Sequence, residues 1–273
     1  MLIFGLILLA VAIGCFLGYR NAKAKVGEIL YQPTSTIAEV AERAGAVAEA
    51  LGTGHSSDYT EIKGEMESPQ TLLSPLGKRD CVWFTASIAR EWEEEEYYRD
   101  EEGKQRTRTH SGSDTLMHDH DYVPFYVKDG SGRMKVNPER ADIDLTTSVS
   151  RFEPDHAISI QGSRLRLGDL SLSIDIQPLA GRRRIKGYRF SEQIFEPSGP
   201  LYLLGTVVDQ GGELTLVHPA EKTQRYVISH KSEEELVTNL DSNSKLFFWG
   251  SIASAVIGLG LSIAGLVTGN TGF

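Results

Sequence analysis

The chain carries no charged side chain in its first nineteen or its last twenty-eight residues, so every Lys, Arg, Asp and Glu falls between Arg20 and Lys245. As helices, Leu2 to Tyr19 would be about 27 Å long and Leu246 to Val267 about 33 Å, against a bilayer hydrocarbon core of roughly 30 Å. A lone apolar segment in lipid satisfies its own peptide groups as a helix. The expectation is a membrane protein in which two transmembrane helices, residues 1–20 and 246–267, flank a mainly β soluble domain with a few short helices. Residues 268–273 form a short tail. A secretory signal places its positive charges before the apolar run, whereas Arg20, Lys23 and Lys25 follow it. A retained anchor is therefore expected, even though Ala22-Lys23-Ala24 offers a small-x-small pattern. Those cations, with Lys245, favour a cytoplasmic domain between the spans.

Small residues pattern both spans. Gly250, Ser254, Gly258 and Ser262 recur every fourth position, as do Ala10, Gly14 and Gly18. Faces of this kind let helix backbones approach closely in lipid. Two outcomes fit, a hairpin of the two spans or a homo-oligomer through these faces. A third is that Gly and Ser are simply common in membrane helices. The acidic balance, 37 Asp plus Glu against 28 Lys plus Arg, argues against a nucleic-acid partner. With Cys15 inside an apolar span, Cys81 has no disulfide partner in the middle domain.

Residues 21–58 read as an amphipathic helix and linker. Thr36-Ile37-Ala38-Glu39 has the spacing of a capping box, and apolar residues follow at helical intervals to Leu51, before Gly52. Docking of this helix on the soluble domain is favoured over the membrane surface, because its face is rich in Ala and lacks aromatic and basic residues. Residues 59–245 form the β-rich domain. Glu61 to Glu67 and Cys81 to Trp92 read as strands. Asp129-Gly130-Ser131-Gly132 and Asp209-Gln210-Gly211-Gly212 are turn signals, each between two apolar runs. The charge run Glu91 to Arg108 suits a solvated hairpin extension or loop. Arg182-Arg183-Arg184 reads as a solvated turn, and Ser232 to Glu235 caps a helix leading into the second span.

Chemistry is sparse. His110, His118 and His120, with Asp119 and Asp121, are the metal-like cluster, and the alternate spacing of His118 and His120 puts both on one strand face. The segment Thr109 to Asp121 is also rich in Ser, Gly and Asp, the composition of an exposed loop. Ser74 lies outside any Gly-x-Ser-x-Gly elbow, and Cys81 opens a strand beside Val82 and Trp83, where buried packing is its expected role. Neither a catalytic residue nor a cofactor is expected.

Lys63-Gly64, Ser74-Pro75-Leu76, Cys81-Val82-Trp83-Phe84 and Pro124-Phe125-Tyr126-Val127 with Asp129-Gly130 come in a telling order. With Leu201-Tyr202-Leu203-Leu204-Gly205-Thr206-Val207 and Tyr226-Val227-Ile228-Ser229, they resemble the domain between the two membrane spans of mulan- or GIDE-type E3 ubiquitin ligases. The resemblance implies a beside-a-membrane domain that recognises partners next to the bilayer. It also implies a RING after the second span, needing eight Cys and His zinc ligands. Here six residues, Thr268 to Phe273, follow Val267, and no RING is expected. Compact members of this kind look like prokaryotic relatives. The family's domain lies between two mitochondrial membranes, which maps onto a periplasmic site and conflicts with the flanking cations. The expected function is a membrane-anchored interaction module binding a protein partner beside the lipid bilayer. The alternative is an E3 ubiquitin-ligase-type transferase acting with a separate partner.

Overall fold

The computed structural model describes residues 2–175 and 183–267. Two long helices, α1 (Leu2–Tyr31) and α3 (Glu233–Val267), bracket the chain, and both are long and apolar enough to cross a membrane. Between them come α2 (Ile37–Leu51), β1 (Ser57–Glu67), β2 (Leu72–Leu73), β3 (Asp80–Cys81), β4 (Trp83–Arg99), β5 (Gln105–Tyr122), β6 (Phe125–Lys128), β7 (Arg133–Val136) and β8 (Asp142–Ile143). The chain continues with β9 (Thr146–Pro154), β10 (Ser159–Gln161), β11 (Arg164–Leu167), β12 (Leu170–Ser173), β13 (Arg183–Phe195), β14 (Pro200–Gln210), β15 (Glu213–Val217) and β16 (Val227–Ser229).

Helix α1 does not stop where its charges begin. Residues 21–31, expected as linker, are its last turns, because Ala and Lys favour a helix and the first breaker is Pro33. Helix α2 starts on the Thr36 capping box and ends at Gly52, whose φ of 92° suits a residue without Cβ. Its first free amides, on Ile37 and Ala38, donate to the Asp129 carboxylate (2.9 Å) and the Ser131 hydroxyl (3.0 Å) in the β6–β7 turn. Burial works against the Asp129 anion, but donation from Ser131, Ile37 and Gly132 outweighs it and holds the carboxyl below its usual range. The helix therefore docks on the β domain through Ile37 and Val40.

The β domain has two halves. In the first, β1, β6, β7, β15 and β14 are successive neighbours, and β1 pairs again with β14, so the strands close into a ring. Ile62, Phe125, Val136, Leu203 and Leu216 fill it and are fully buried. β14 is covered on both sides. Leu201, Leu203 and Val207 point into the ring, while Tyr202 and Leu204 pack on Ile29 of α1 and on Leu236 and Leu240 of α3. That is why its sequence is a near-continuous apolar run instead of an alternating one. At Gly64 in β1 the Lys128 carbonyl oxygen lies 2.5 Å from where a Cβ would sit, so only glycine fits.

The second half is an open four-stranded sheet, β5-β4-β13-β9, with Ala86, Ile88, Phe190 and Ile194 in its core. A small meander, β10-β11-β12, covers it through Leu165. The charge run is the arm of this sheet. β4 and β5 pair from Trp83–Tyr122 out to Arg99–Gln105, and Asp100 holds the turn by accepting from the amides of Glu102 and Lys104 and from Arg106. The basic triplet is not a solvated turn. Arg183 and Arg184 lie in β13, where Arg183 stacks 3.8 Å from the Trp92 ring and Arg184 pairs with Glu93. Arg182 and the tail 268–273 lie outside the described residues.

Candidate functional site

The two long helices pack antiparallel, and the small residues decide how. A Cβ on Gly258 would meet the Gly5 carbonyl at 3.0 Å, and one on Gly5 would meet Ser262 Oγ at 2.2 Å. Gly250 faces Cys15 Sγ (3.9 Å) and Gly18 faces the Phe247 ring (3.3 Å), whereas a Cβ at Gly14 would meet nothing within 4 Å. Ser254 is only half-buried. The buried positions instead recur every seventh residue, with Gly5 and Ala12 on α1 and Ser244, Ser251 and Gly258 on α3. A seven-residue repeat is the seam of a left-handed helix pair. Of the small residues at fourfold spacing, Gly18, Gly250, Gly258 and Ser262 lie at contacts between the two helices and Gly14 does not. Tyr19, Phe248 and Trp249 cluster where the apolar stretches meet the first charges, with Tyr19 and Phe248 ring centroids 5.3 Å apart.

Past that cluster the helices are tied to each other and to the ring. Lys23 of α1 donates to Asp241 of α3 at 2.6 Å. The bond from Lys23, joined by Lys245, holds the Asp241 carboxyl down at about 2. Glu28 accepts from the Tyr59 hydroxyl (2.5 Å), from the Arg225 amide (2.9 Å) and from its guanidinium (3.1 Å). Burial pushes the Tyr59 phenol upward, and the bond to Glu28 adds to it. Glu61, only 1 % exposed, accepts from Tyr202 (2.7 Å), Lys63 (3.0 Å) and Thr34. Lys63 reaches on to Glu233 at the start of α3 (2.6 Å). A cleft of about 380 Å³ opens beside this junction, lined by Lys25, Asp142, Asp144, Arg225, Lys231 and Leu240. Its charges are matched within it, Lys231 to Asp144 at 2.8 Å and Lys25 to Asp142 at 3.9 Å.

The candidate chemical groups stay apart. Thr109 to Asp121 is not a loop but most of β5, because seventeen residues of β4 pair along it. His118 and His120 share a face, with ring centroids 6.1 Å apart. His110 stands about 27 Å further along the strand and binds Glu96 at 2.8 Å. Among the described residues no three His, Cys, Asp or Glu side chains come close enough to hold a metal ion. Ser74 is buried and donates to Glu192 (2.9 Å), which also accepts from the amides of Leu76 (2.6 Å) and Gly77 (2.9 Å). This anion fixes the Ser-Pro-Leu-Gly loop and leaves the hydroxyl no path to a substrate. Cys81 is fully buried; burial, with Glu192 and Asp80 nearby, pushes its thiol up to about 11, the reverse of an activated nucleophile. Sequence reasoning missed both buried carboxylates, Glu61 and Glu192, since an isolated Glu in a strand reads as surface.

The four-stranded sheet ends at β9 on one side and at the eighteen-residue β5 on the other, where the Leu116 carbonyl accepts from the Asp175 amide (2.8 Å). The described surfaces thus comprise a helix pair joined by ion pairs to a closed ring, and a second, four-stranded sheet. A family model described as GIDE, E3 ubiquitin ligase, matches residues 93–264, from the arm into α3. Comparison with curated proteins and with solved structures found no match.

Proposed function

This chain belongs to the GIDE family, and from that premise we propose that it is a membrane-anchored interaction module whose β domain holds a protein partner beside the bilayer. The observation that carries the reading is the unbroken passage of α1 and α3 from apolar segments into an ion-paired junction with the ring. A cleaved signal would not share a buried seam with the second span, nor place Ile29 in the core beside Tyr202 and Leu204. In this reading both helices cross the bilayer, Tyr19, Phe248 and Trp249 mark the headgroup level, and the domain is cytoplasmic on the strength of Arg20, Lys23, Lys25 and Lys245. The absence of a metal-holding group among the described residues, with a buried Cys81 and a buried Ser74, supports holding over catalysis. Two cysteines within these residues also fall short of the zinc ligands a RING uses.

The family's description as E3 ubiquitin ligase favours one other reading, a transferase that acts with a separately encoded partner. Two measurements separate the possibilities. The full-length protein should stay in the pellet after carbonate washing, and it should leave the discharge rate of a ubiquitin-charged carrier enzyme unchanged. Release into the supernatant would overturn the anchor. Accelerated discharge would overturn the purely binding role and favour the transferase. Protease accessibility of the domain in sealed vesicles of known orientation would test its side.

A further inference from the structure

The cleft beside the helix junction carries its charges in an order. Its walls are apolar, with Ile29 and Leu240 from the helices and Ile143 and Val227 from the strands, and its volume of about 380 Å³ is that of a small-molecule site. Such sites combine apolar walls with a few placed polar groups. At the lip, the Arg225 guanidinium donates to the Asn21 carbonyl oxygen (3.3 Å), two residues or about 3 Å past Tyr19 along α1. Lys25 follows about 9 Å past Tyr19 and faces Asp142 at 3.9 Å. From there β8 runs parallel to β16, which leads away from that lip towards the start of α3. Asp144 and Lys231 therefore lie farther from the aromatic cluster than Asp142 does. Passing outward from Tyr19 and Phe248, the cleft offers two cations, then a carboxylate, then the closed pair of Asp144 and Lys231 (2.8 Å).

We propose that this cleft holds the headgroup of a phosphatidylethanolamine lipid, an inference that rests on the reading that both helices cross the bilayer. The headgroup layer of each leaflet is about 5–8 Å deep, so the lip at Arg225 lies within it and Lys25 stands at its upper limit. A lipid entering from below presents its phosphate first, at the glycerol end, and its ammonium last. That is the order of Lys25 and Asp142. The two are too far apart to hydrogen-bond, and the Asp142 side chain is 71 % exposed, so the pair has room for a zwitterion between its members. Lys25 then meets a phosphate oxygen and Asp142 meets the ammonium hydrogens, both as charge-assisted bonds. Asp144 is already held by Lys231 and by the Ser229 hydroxyl (3.2 Å) and closes the far end. The side-chain amides of Gln193 and Asn239 also line the cleft and make no hydrogen bond among the described residues, which leaves them for the phosphate and ester oxygens. Choline fits less well, because its methylated ammonium has no N–H for Asp142 and is ordinarily held by aromatic rings. No aromatic side chain lines the cleft among the described residues. A glycerol headgroup brings a net negative charge and no cation for Asp142.

The test incubates the full chain in detergent with equal amounts of dioleoyl phosphatidylethanolamine, phosphatidylcholine and phosphatidylglycerol, and counts retained lipid by native mass spectrometry. One phosphatidylethanolamine per chain should be kept, about tenfold or more over either of the others. Asp142→Asn leaves the bond between Asp144 and Lys231 in place, and it should erase the preference over phosphatidylcholine without moving the thermal midpoint. Lys25→Gln should lower retention of phosphatidylethanolamine about fivefold by removing a phosphate contact. Asn239→Trp, at an exposed position on α3, should fill the cleft and abolish retention. Equal retention of the three lipids, a preference for phosphatidylglycerol, or a preference that survives Asp142→Asn would each overturn the site. Displacement of the lipid by an equal concentration of glycerophosphoethanolamine would overturn the bilayer as its source. These outcomes leave the anchor itself standing, since carbonate washing judges that separately.

Discussion

The two halves of the β domain solve the same problem differently. A sheet must do something with its outermost backbone groups. The first half reduces them to the short strand β8, which follows β16 beside β14, by joining β1 to β14, and it covers β14 further with α1 and α3. The second half keeps both edges, β5 and β9, and extends one of them into an arm. Closure suits the half that must be fastened to the helices, since a ring has no strand free to slip. The two halves have separate cores, one around Phe125 and Leu203 and the other around Ile88 and Phe190.

The contrast breaks most sharply at Gly64. A methyl there would sit 2.5 Å from a backbone carbonyl that the closed ring cannot move. Gly64→Ala should therefore cost about 4 kcal/mol or prevent folding, as a fall in the thermal midpoint or in the yield of detergent-solubilised protein. A stable variant would mean that the ring opens easily. Next comes Glu192→Ala in the open half, which strands the Ser74 hydroxyl and two amides. About 3 kcal/mol is expected, with native-state proteolysis beginning near Ser74. Cys81 sharpens the same point through its rate of reaction. With the thiol pushed up to about 11 from an ordinary 9, the thiolate fraction at pH 8 should be about a hundredfold below that of a free cysteine, and alkylation should be slow until the protein unfolds. The raised value favours the protonated folded form, so this stabilisation is complete below pH 9 and is lost as pH rises through about 11. Smallest is Gly112→Ala. Its methyl would lie 2.4 Å from the Trp92 ring, a side chain on the arm that can shift, so about 1 kcal/mol is expected. A loss as large as that of Gly64→Ala would show the arm to be as rigid as the ring.

Much of this was written locally. The turns at Asp129 and Asp209 announced their hairpins, and the capping boxes at Thr36 and Ser232 placed two helix starts, because each signal involves residues a few positions apart. Closure of the ring was not legible. The β1–β14 register joins Ser57 to Val208, and nothing in either segment names the other. The β10–β12 meander was missed because strands of three or four residues, with Arg164 and Arg166 among them, are too short to show a period. β5 looked like a loop because Ser, Gly and Asp dominate its middle; its pairing with β4 overrode that composition. In the helix pair the buried small residues Ser244, Ser251 and Gly258 stand seven apart, the repeat of a wound pair.

One consequence follows from α1 and α3 having no break between their apolar stretches and the ring. Beyond Arg20 the first helix continues about 17 Å to Tyr31, locked to its neighbour by Lys23 and Asp241 and to the β barrel by Glu28 and Arg225. A joint without a hinge passes on torque. Twisting one helix about the other would swing the arm through an arc like a boom on a mast, so the height and heading of its tip are set from below.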